Sequence, residues 1–463
     1  MSDNRIELIA HLMRRAGFGA TREELTSLAK KGYRRVVSDL VTPTKDINVD
    51  EDLLLRYYGG EAHRSHTGKW VYRMLNNPNP LIEKVALFWH HVFATGITKV
   101  ENPYACADQI ETFRKYGMGK FDTLLLNLSK DPAMLFWLDN NENRTGEPNE
   151  NYGRELLELF SMGVGNYSEF DLKECARAFT GWTFTQPLPR YPVGDWPSFF
   201  EFRAEEHDYG EKKFLGHVGN FNGEDIIGII AKQPATALFL ARHMYNFFVA
   251  DEPQVPAWQH TPCQDQDALD ELVTSYFVSG GNIASMLETL FTSDFFKKSQ
   301  GKKIKSPTEL MLGILKLSGT YKFPEPGMNN YWSATDVMGQ EIFNPPTVEG
   351  WHTGKEWIDG GTLNERINFA TTEVSNLNNP GIKYILNELT SKKQTMSPND
   401  VVDQILDLSG AMVVGESTKS TLMQCAEEGG DFEMNNPNEH EEINERIIQI
   451  LQLAVSSREY QFA

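Results

Sequence analysis

The chain contains no apolar run approaching the ~18 consecutive residues that a membrane-spanning helix needs, so no segment reads as transmembrane. Basic charge is scarce as well. There are 44 Lys and Arg against 64 Asp and Glu, a net charge of −20 with a pI near 5.1. Phosphate recognition needs a basic surface, so nucleic acid and anionic membrane are poor candidates for the main partner. Cysteine is sparse and scattered. Cys106, Cys175, Cys263 and Cys425 form no CxxC or zinc-type spacing and read as free or buried thiols in a reducing compartment. The N-terminal MSDNRIELIAHLMRRAGFGAT lacks a basic segment followed by a long apolar run, so it is not a signal peptide, and as written the chain reads as cytoplasmic. Walker, strand-linked GxGxxG, HExxH, GxSxG and EF-hand patterns are all missing, which removes the standard nucleotide, zinc-protease and serine-hydrolase readings.

What is present is an ordinary globular mixture, 40% hydrophobic and 23% charged over 463 residues, enough to bury a large core. Helical periodicity recurs from residues 5–16 to 441–456 and predicts a mainly α protein: one large helical domain with a single small β-hairpin insertion. The segment 81–95, LIEKVALFWHHVFAT, is apolar nearly all round and reads as the central buried helix. Helix is interrupted at 184–217, where Pro187, Pro189, Pro192 and Pro197 forbid it. There FFEFRAEEHDYGEKKFLG predicts a hairpin turning near Asp208-Tyr209-Gly210. Residues 41–66 read as a surface connection, and the acidic tract 425–442 as an exposed loop.

The densest polar pattern lies at 148–184, PNENYGRELLELFSMGVGNYSEFDLKECARAFTGWTF. Asn149 is placed as an N-cap, with Asn151 two residues on. Glu150, Arg154 and Glu158 recur every four residues, as in a solvated ladder. Glu155 differs, because it borders the apolar arc beside Leu159. A carboxylate there is either locked to an Arg or His or held for chemistry. Ser168 and Asp171 are spaced as a capping box for a second helix carrying Arg177, which ends near Trp182. Such a cluster can brace two helices or clamp an anion.

Two further motifs carry chemistry. HDYGEKKFLG offers His207 and Asp208 beside a turn, suited to acid/base work or metal binding, or to pinning the hairpin. NPPTVEGWHTGKEW presents Trp351, His352 and Trp357 on a Gly-containing loop, suited to stacking on a sugar ring or to closing the core. His90 and His91 lie about 100° apart on the central helix and suit core positions better than one shared ion. The helix pair, the hairpin and the Gly-Trp loop are expected to border one cleft. Glu155, His207 and Asp208 would be its catalytic groups, and Asn149, Asn151, Arg154, Arg177, Trp182, Trp351, His352 and Trp357 its ligand contacts.

Seven segments occur in a fixed order: HLMRRAGFGAT, LIEKVALFWHHVFAT, KDPAMLFWLDN, the 148–184 stretch, HDYGEKKFLG, IKSPTELMLG and MGQEIFNPPTVEGWHTGKEW. Together they resemble the bacterial family called domain of unknown function 1800, over nearly the whole chain. The resemblance implies a mostly helical fold and one family domain. It also implies a setting beside a second family that resembles sulfatases and alkaline phosphatases, and export for many members, from which this chain departs. It supplies no established catalytic residues, and cofactor and metal stay unknown. Three functions stay open: an accessory or binding protein working with that sulfatase/phosphatase-like partner on glycans or anionic ligands, a hydrolase using the carboxylate/His groups with or without a metal ion, and a structural or assembly protein.

Overall fold

The computed structural model describes residues 3–43, 50–58, 63–187, 197–253, 257–319, 323–324, 330–391, 395–434 and 440–463. The fold is mainly helical. Among the described residues, strands form only two antiparallel pairs.

The helix Pro80–Val92 is buried along almost its whole length, as its all-round apolar sequence requires. Its two charges are each neutralised. Glu83 accepts from Trp70 Nε1 and Asn77 Nδ2 at 3.0 Å and from Arg114 at 2.9 Å. Lys84 pairs with Glu309 and donates to the Gly17 carbonyl at 2.9 Å. A buried charge without such partners would be strongly destabilising.

Two apolar clusters make up the core. The larger runs from Ile6 to Phe343 and includes Ala411; the second joins Leu310 and Ile314 to residues between Met338 and Tyr460. The helix Pro307–Ser318 feeds both, with Met311, Leu312 and Leu315 in the first and Leu310 and Ile314 in the second. A third helix, Pro380–Thr390, begins against its C-terminal end at Gly381, where an added Cβ would lie 2.1 Å from the Leu317 carbonyl oxygen. Only glycine permits that approach.

The β structure departs from the predicted hairpin. Phe199–Phe202 pairs with Trp182–Thr185, and Lys212–Phe214 pairs with His217–Gly219. The two runs expected to pair with each other belong to different sheets. The second sheet turns at Leu215-Gly216, whose φ values of 46° and 82° are those of a two-residue type I′ loop. The expected turn at Asp208 is instead taken up by contacts to the helix Glu169–Ala178. Within the acidic tract, Cys425 to Glu427 close the helix Glu416–Glu427, while Phe432 and Met434 are buried. Residues 435–439 of it lie outside the described set. The four cysteines are free thiols. No helix among the described residues is long and apolar enough to cross a membrane.

Candidate functional site

The side chains singled out from the sequence fall into three groups. In the first, Asn149 caps the helix Glu150–Glu158, accepting from the Asn151 N–H at 3.0 Å and donating to the Asp139 carbonyl at 3.0 Å. Asn151 donates to the Leu138 carbonyl at 3.1 Å. Arg154 reaches across to Glu169 at 3.3 Å and along its own helix to Glu150 at 3.7 Å. The Arg154–Glu169 contact ties the helix pair together, while Asn149 and Asn151 fasten the first helix to the segment at 138–139.

In the second group, Arg177 grips Asp208 with Nε at 2.7 Å and Nη2 at 3.2 Å, and its Nη1 meets Glu174 at 2.8 Å. The Arg177 hydrogen bonds hold the Asp208 carboxyl below the usual carboxylate range. His207 is buried, with Nδ1 2.8 Å from the Thr180 carbonyl oxygen, and the Asp208 N–H donates to the Thr180 hydroxyl at 2.8 Å. Trp182 packs edge-on against Phe179 and Phe200. Asp208 is engaged by Arg177 and His207 by the Thr180 backbone, so the pair pins the loop to the helix.

The third group gathers around Glu155. Burial, and after it the neighbouring Glu158, pushes the Glu155 carboxyl up to about 7; Arg154 opposes and Glu349 adds. The expected Arg or His partner is absent: among the described residues Glu155 makes no ion pair, because Arg154 turns to Glu150 and Glu169. Glu349 also borders a water-sized gap with His91, Leu159, His243, Asn246 and Trp258. His91 Nδ1 and His243 Nε2 are buried without a partner among the described residues. Burial holds His91 down at about 4 and His243 well below the ordinary imidazole range. Trp351 and Trp357 are only 3% and 6% exposed. Trp351 stands edge-on to His90, with ring centroids 5.1 Å apart, so it closes the core and presents no open face to a sugar. His352 is exposed, 3.4 Å from Glu356. Among the described residues no three His, Cys, Asp or Glu side chains are placed to hold a metal ion.

Gly350 locks the Trp351 loop onto the central helix. Its φ is +89°, and an added Cβ would lie 2.5 Å from the His91 carbonyl oxygen. Gly350→Ala is expected to cost at least about 1–2 kcal/mol from the backbone conformation alone. A urea melt showing no loss would refute the locked geometry.

The ligand-sized space lies elsewhere. A cavity of about 670 Å³ opens between the first helix, Asp3–Arg15, the helices Pro307–Ser318 and Pro380–Thr390, the turn at 409–413 and the C-terminal residues. Its volume falls in the range of small-molecule sites. Five cations border it: Arg14, Arg22, Lys305, Lys316 and Arg458. For Arg14, Lys305 and Lys316 the protein partners are carbonyl oxygens. Arg14 donates to Gly410 at 3.1 Å, Lys305 to Tyr460 at 2.7 Å and Lys316 to Gly19 at 3.5 Å. None of these three forms an ion pair among the described residues. The nearby Glu309 is engaged by Lys84 and Arg15. Burial, and then the Arg14 charge, holds Lys305 well below the ordinary lysine range, and burial lowers Arg14 to about 10. Arg14, Lys305 and Lys316 are thus without an ion-pair partner among the described residues, although the carboxylates of Glu7, Glu23, Glu309 and Glu459 border the same space, inside a chain of net charge −20.

The sequence did not point to this cavity, although Arg14 and Lys305 lie in two of the quoted segments. Fold and site together define a mainly α-helical protein with a ligand-sized cavity bordered by both cations and carboxylates. The chain belongs to the family described as Protein of unknown function (DUF1800), whose pattern matches residues 11–462. Comparison with curated proteins and with solved structures finds no match.

Proposed function

We propose that this protein is a binding protein whose internal cavity takes a small anionic ligand. The observation that supports this is the set of three cations, Arg14, Lys305 and Lys316, that border one cavity and, among the described residues, donate to backbone carbonyls and form no ion pair. Burying unmatched positive charge is unfavourable, and a bound anion removes the penalty through charge-assisted hydrogen bonds. The accessory role beside a sulfatase- or phosphatase-like partner remains part of the proposal, because such a partner handles anionic esters, the same chemistry as the cavity. A glycan is supported only through anionic groups, since Trp351 and Trp357 are covered.

The test is a thermal melt in sulfate or phosphate against chloride at equal ionic strength. A ligand bound only by the folded state raises Tm. The expected result is a higher Tm for the wild type and no anion-dependent shift for Lys305→Met. Identical wild-type melts in all three anions would overturn the reading.

A second reading, a hydrolase centred on Glu155, is favoured by one observation: a carboxyl raised to about 7 near Glu349, which shares a gap with two unpartnered imidazoles. Groups near neutral pKa suit general acid/base catalysis. Hydrolysis of a sulfate or phosphate ester that disappears in Glu155→Gln would favour it.

A further inference from the structure

The cavity is not evenly polar, and its asymmetry narrows the ligand. At the inner end lie Lys305, Glu309 and Tyr460, each 7% exposed or less. Lys305 Nζ sits 3.9 Å from the Tyr460 ring centroid. Arg14 acts electrostatically on both Lys305 and Tyr460, so the three groups share one neighbourhood. The Tyr460 hydroxyl has no hydrogen-bond partner among the described residues, which leaves it free to donate. The Arg14 guanidinium spends one Nη1 bond on Gly410 and keeps its remaining donors. Two cations and a hydroxyl thus stand ready for one anionic head.

The walls leading outward are aliphatic: Leu25, Leu317, Ile385, Leu408, Met412 and Val413. At the rim, Tyr384 is 43% exposed and Val413 61% exposed. Exposed apolar groups framing an opening mark a binding mouth more readily than scattered surface residues do. Two of the polar groups that also border the space are occupied within the protein, while the Ser409 hydroxyl is buried with no partner among the described residues. Arg22 binds Asp407 at 2.6 Å, and Glu459 accepts from the Gly415 N–H and the Thr418 hydroxyl at 2.9 Å. A nucleotide or a multiply hydroxylated sugar would leave many polar atoms against these aliphatic walls, at a cost for each unpaired group.

We infer that the cavity takes a single-chain amphiphile, its carboxylate or phosphate head held by Arg14, Lys305 and the Tyr460 hydroxyl and its alkyl chain running along Leu317, Ile385 and Met412 towards Val413. This rests on the anion-binding reading above and adds the apolar body. Each retained CH₂ then contributes by leaving water.

Calorimetry with decanoate, decyl phosphate, decanol and inorganic phosphate tests it. Decanoate or decyl phosphate is expected to bind at one per chain, and the tighter of the two identifies the head. Lys305→Met should weaken that binding about ten- to a hundredfold, the loss of a charge-assisted hydrogen bond. Because Lys305 is buried, Val413→Asp provides a second variant at an exposed position, expected to weaken the alkyl ligands and leave inorganic phosphate unaffected. If inorganic phosphate binds and no decyl compound binds more tightly, the amphiphile inference fails while anion binding stands. If decanol matches decanoate, or if nothing binds, both fail.

Discussion

Replacing Glu309 by alanine is expected to remove about 3–5 kcal/mol of folding stability, the cost of breaking a buried ion pair by deleting one partner. Glu309 is 6% exposed, and two fully buried cations, Lys84 and Arg15, converge on it. It also completes the capping box of the helix Pro307–Ser318, accepting from the Ser306 N–H at 2.7 Å. Burial alone would raise its carboxyl, but Lys84 and Arg15 overcome that and hold it at about 2. The alanine variant would leave both buried cations without the carboxylate they converge on. Glu309→Gln tests the electrostatic share, because the amide oxygen can keep the cap while the charge is gone. Equilibrium urea denaturation is the measurement. A loss below about 1 kcal/mol, the size of an ordinary point substitution, would show that Lys84 and Arg15 do not depend on Glu309.

The sequence made the helices legible where the apolar pattern was complete. Pro80–Val92 was readable because every face is apolar and its few charges had to be paired. Helices such as Glu416–Glu427 were not readable, because only Leu422 and Ala426 of that segment are buried. The strand Phe199–Phe202 was visible, but its partner was not. Two runs competed for it, and the choice was made by Arg177 drawing Asp208 to its helix, a tertiary contact that leaves no local trace. Glu155 shows the same division. Its place at the edge of the apolar arc gave its half-buried setting, but not that Arg154 would turn to Glu169. The cavity was the hardest feature to read. Arg14 ends the helix Asp3–Arg15, where a basic residue suits the helix dipole. Only packing by segments some three hundred residues away turns that ordinary terminus into one wall of a binding site.

Stability is expected to peak near pH 7 and to fall by about 3 kcal/mol per pH unit near pH 5, through four buried histidines. Burial holds His11 and His90 at about 3 and His91 at about 4, and lowers His243 well below the imidazole range. Their ordinary value is 6.5, so as pH falls below it the unfolded chain takes up protons that the folded chain refuses. By linkage, folding stability is lost with falling pH across that window. Two acids act in the opposite sense. Burial raises Asp131 and Glu155 to about 7, so the folded state binds their protons first and gains stability as pH drops from 7 towards 4. Near pH 7 the two sets roughly cancel. At pH 5 the histidines outnumber the acids, and unfolding should take up about two protons net from these six groups. Urea denaturation from pH 7.5 to 4.5, with proton uptake measured by calorimetry in two buffers, reads both quantities. An imidazole NMR titration adds the site-level check: the rings of His11, His90, His91 and His243 should stay neutral at pH 5. A flat stability profile from pH 7 to 5, or buried rings that titrate near 6.5, would mean that water reaches the core around His90 and His91.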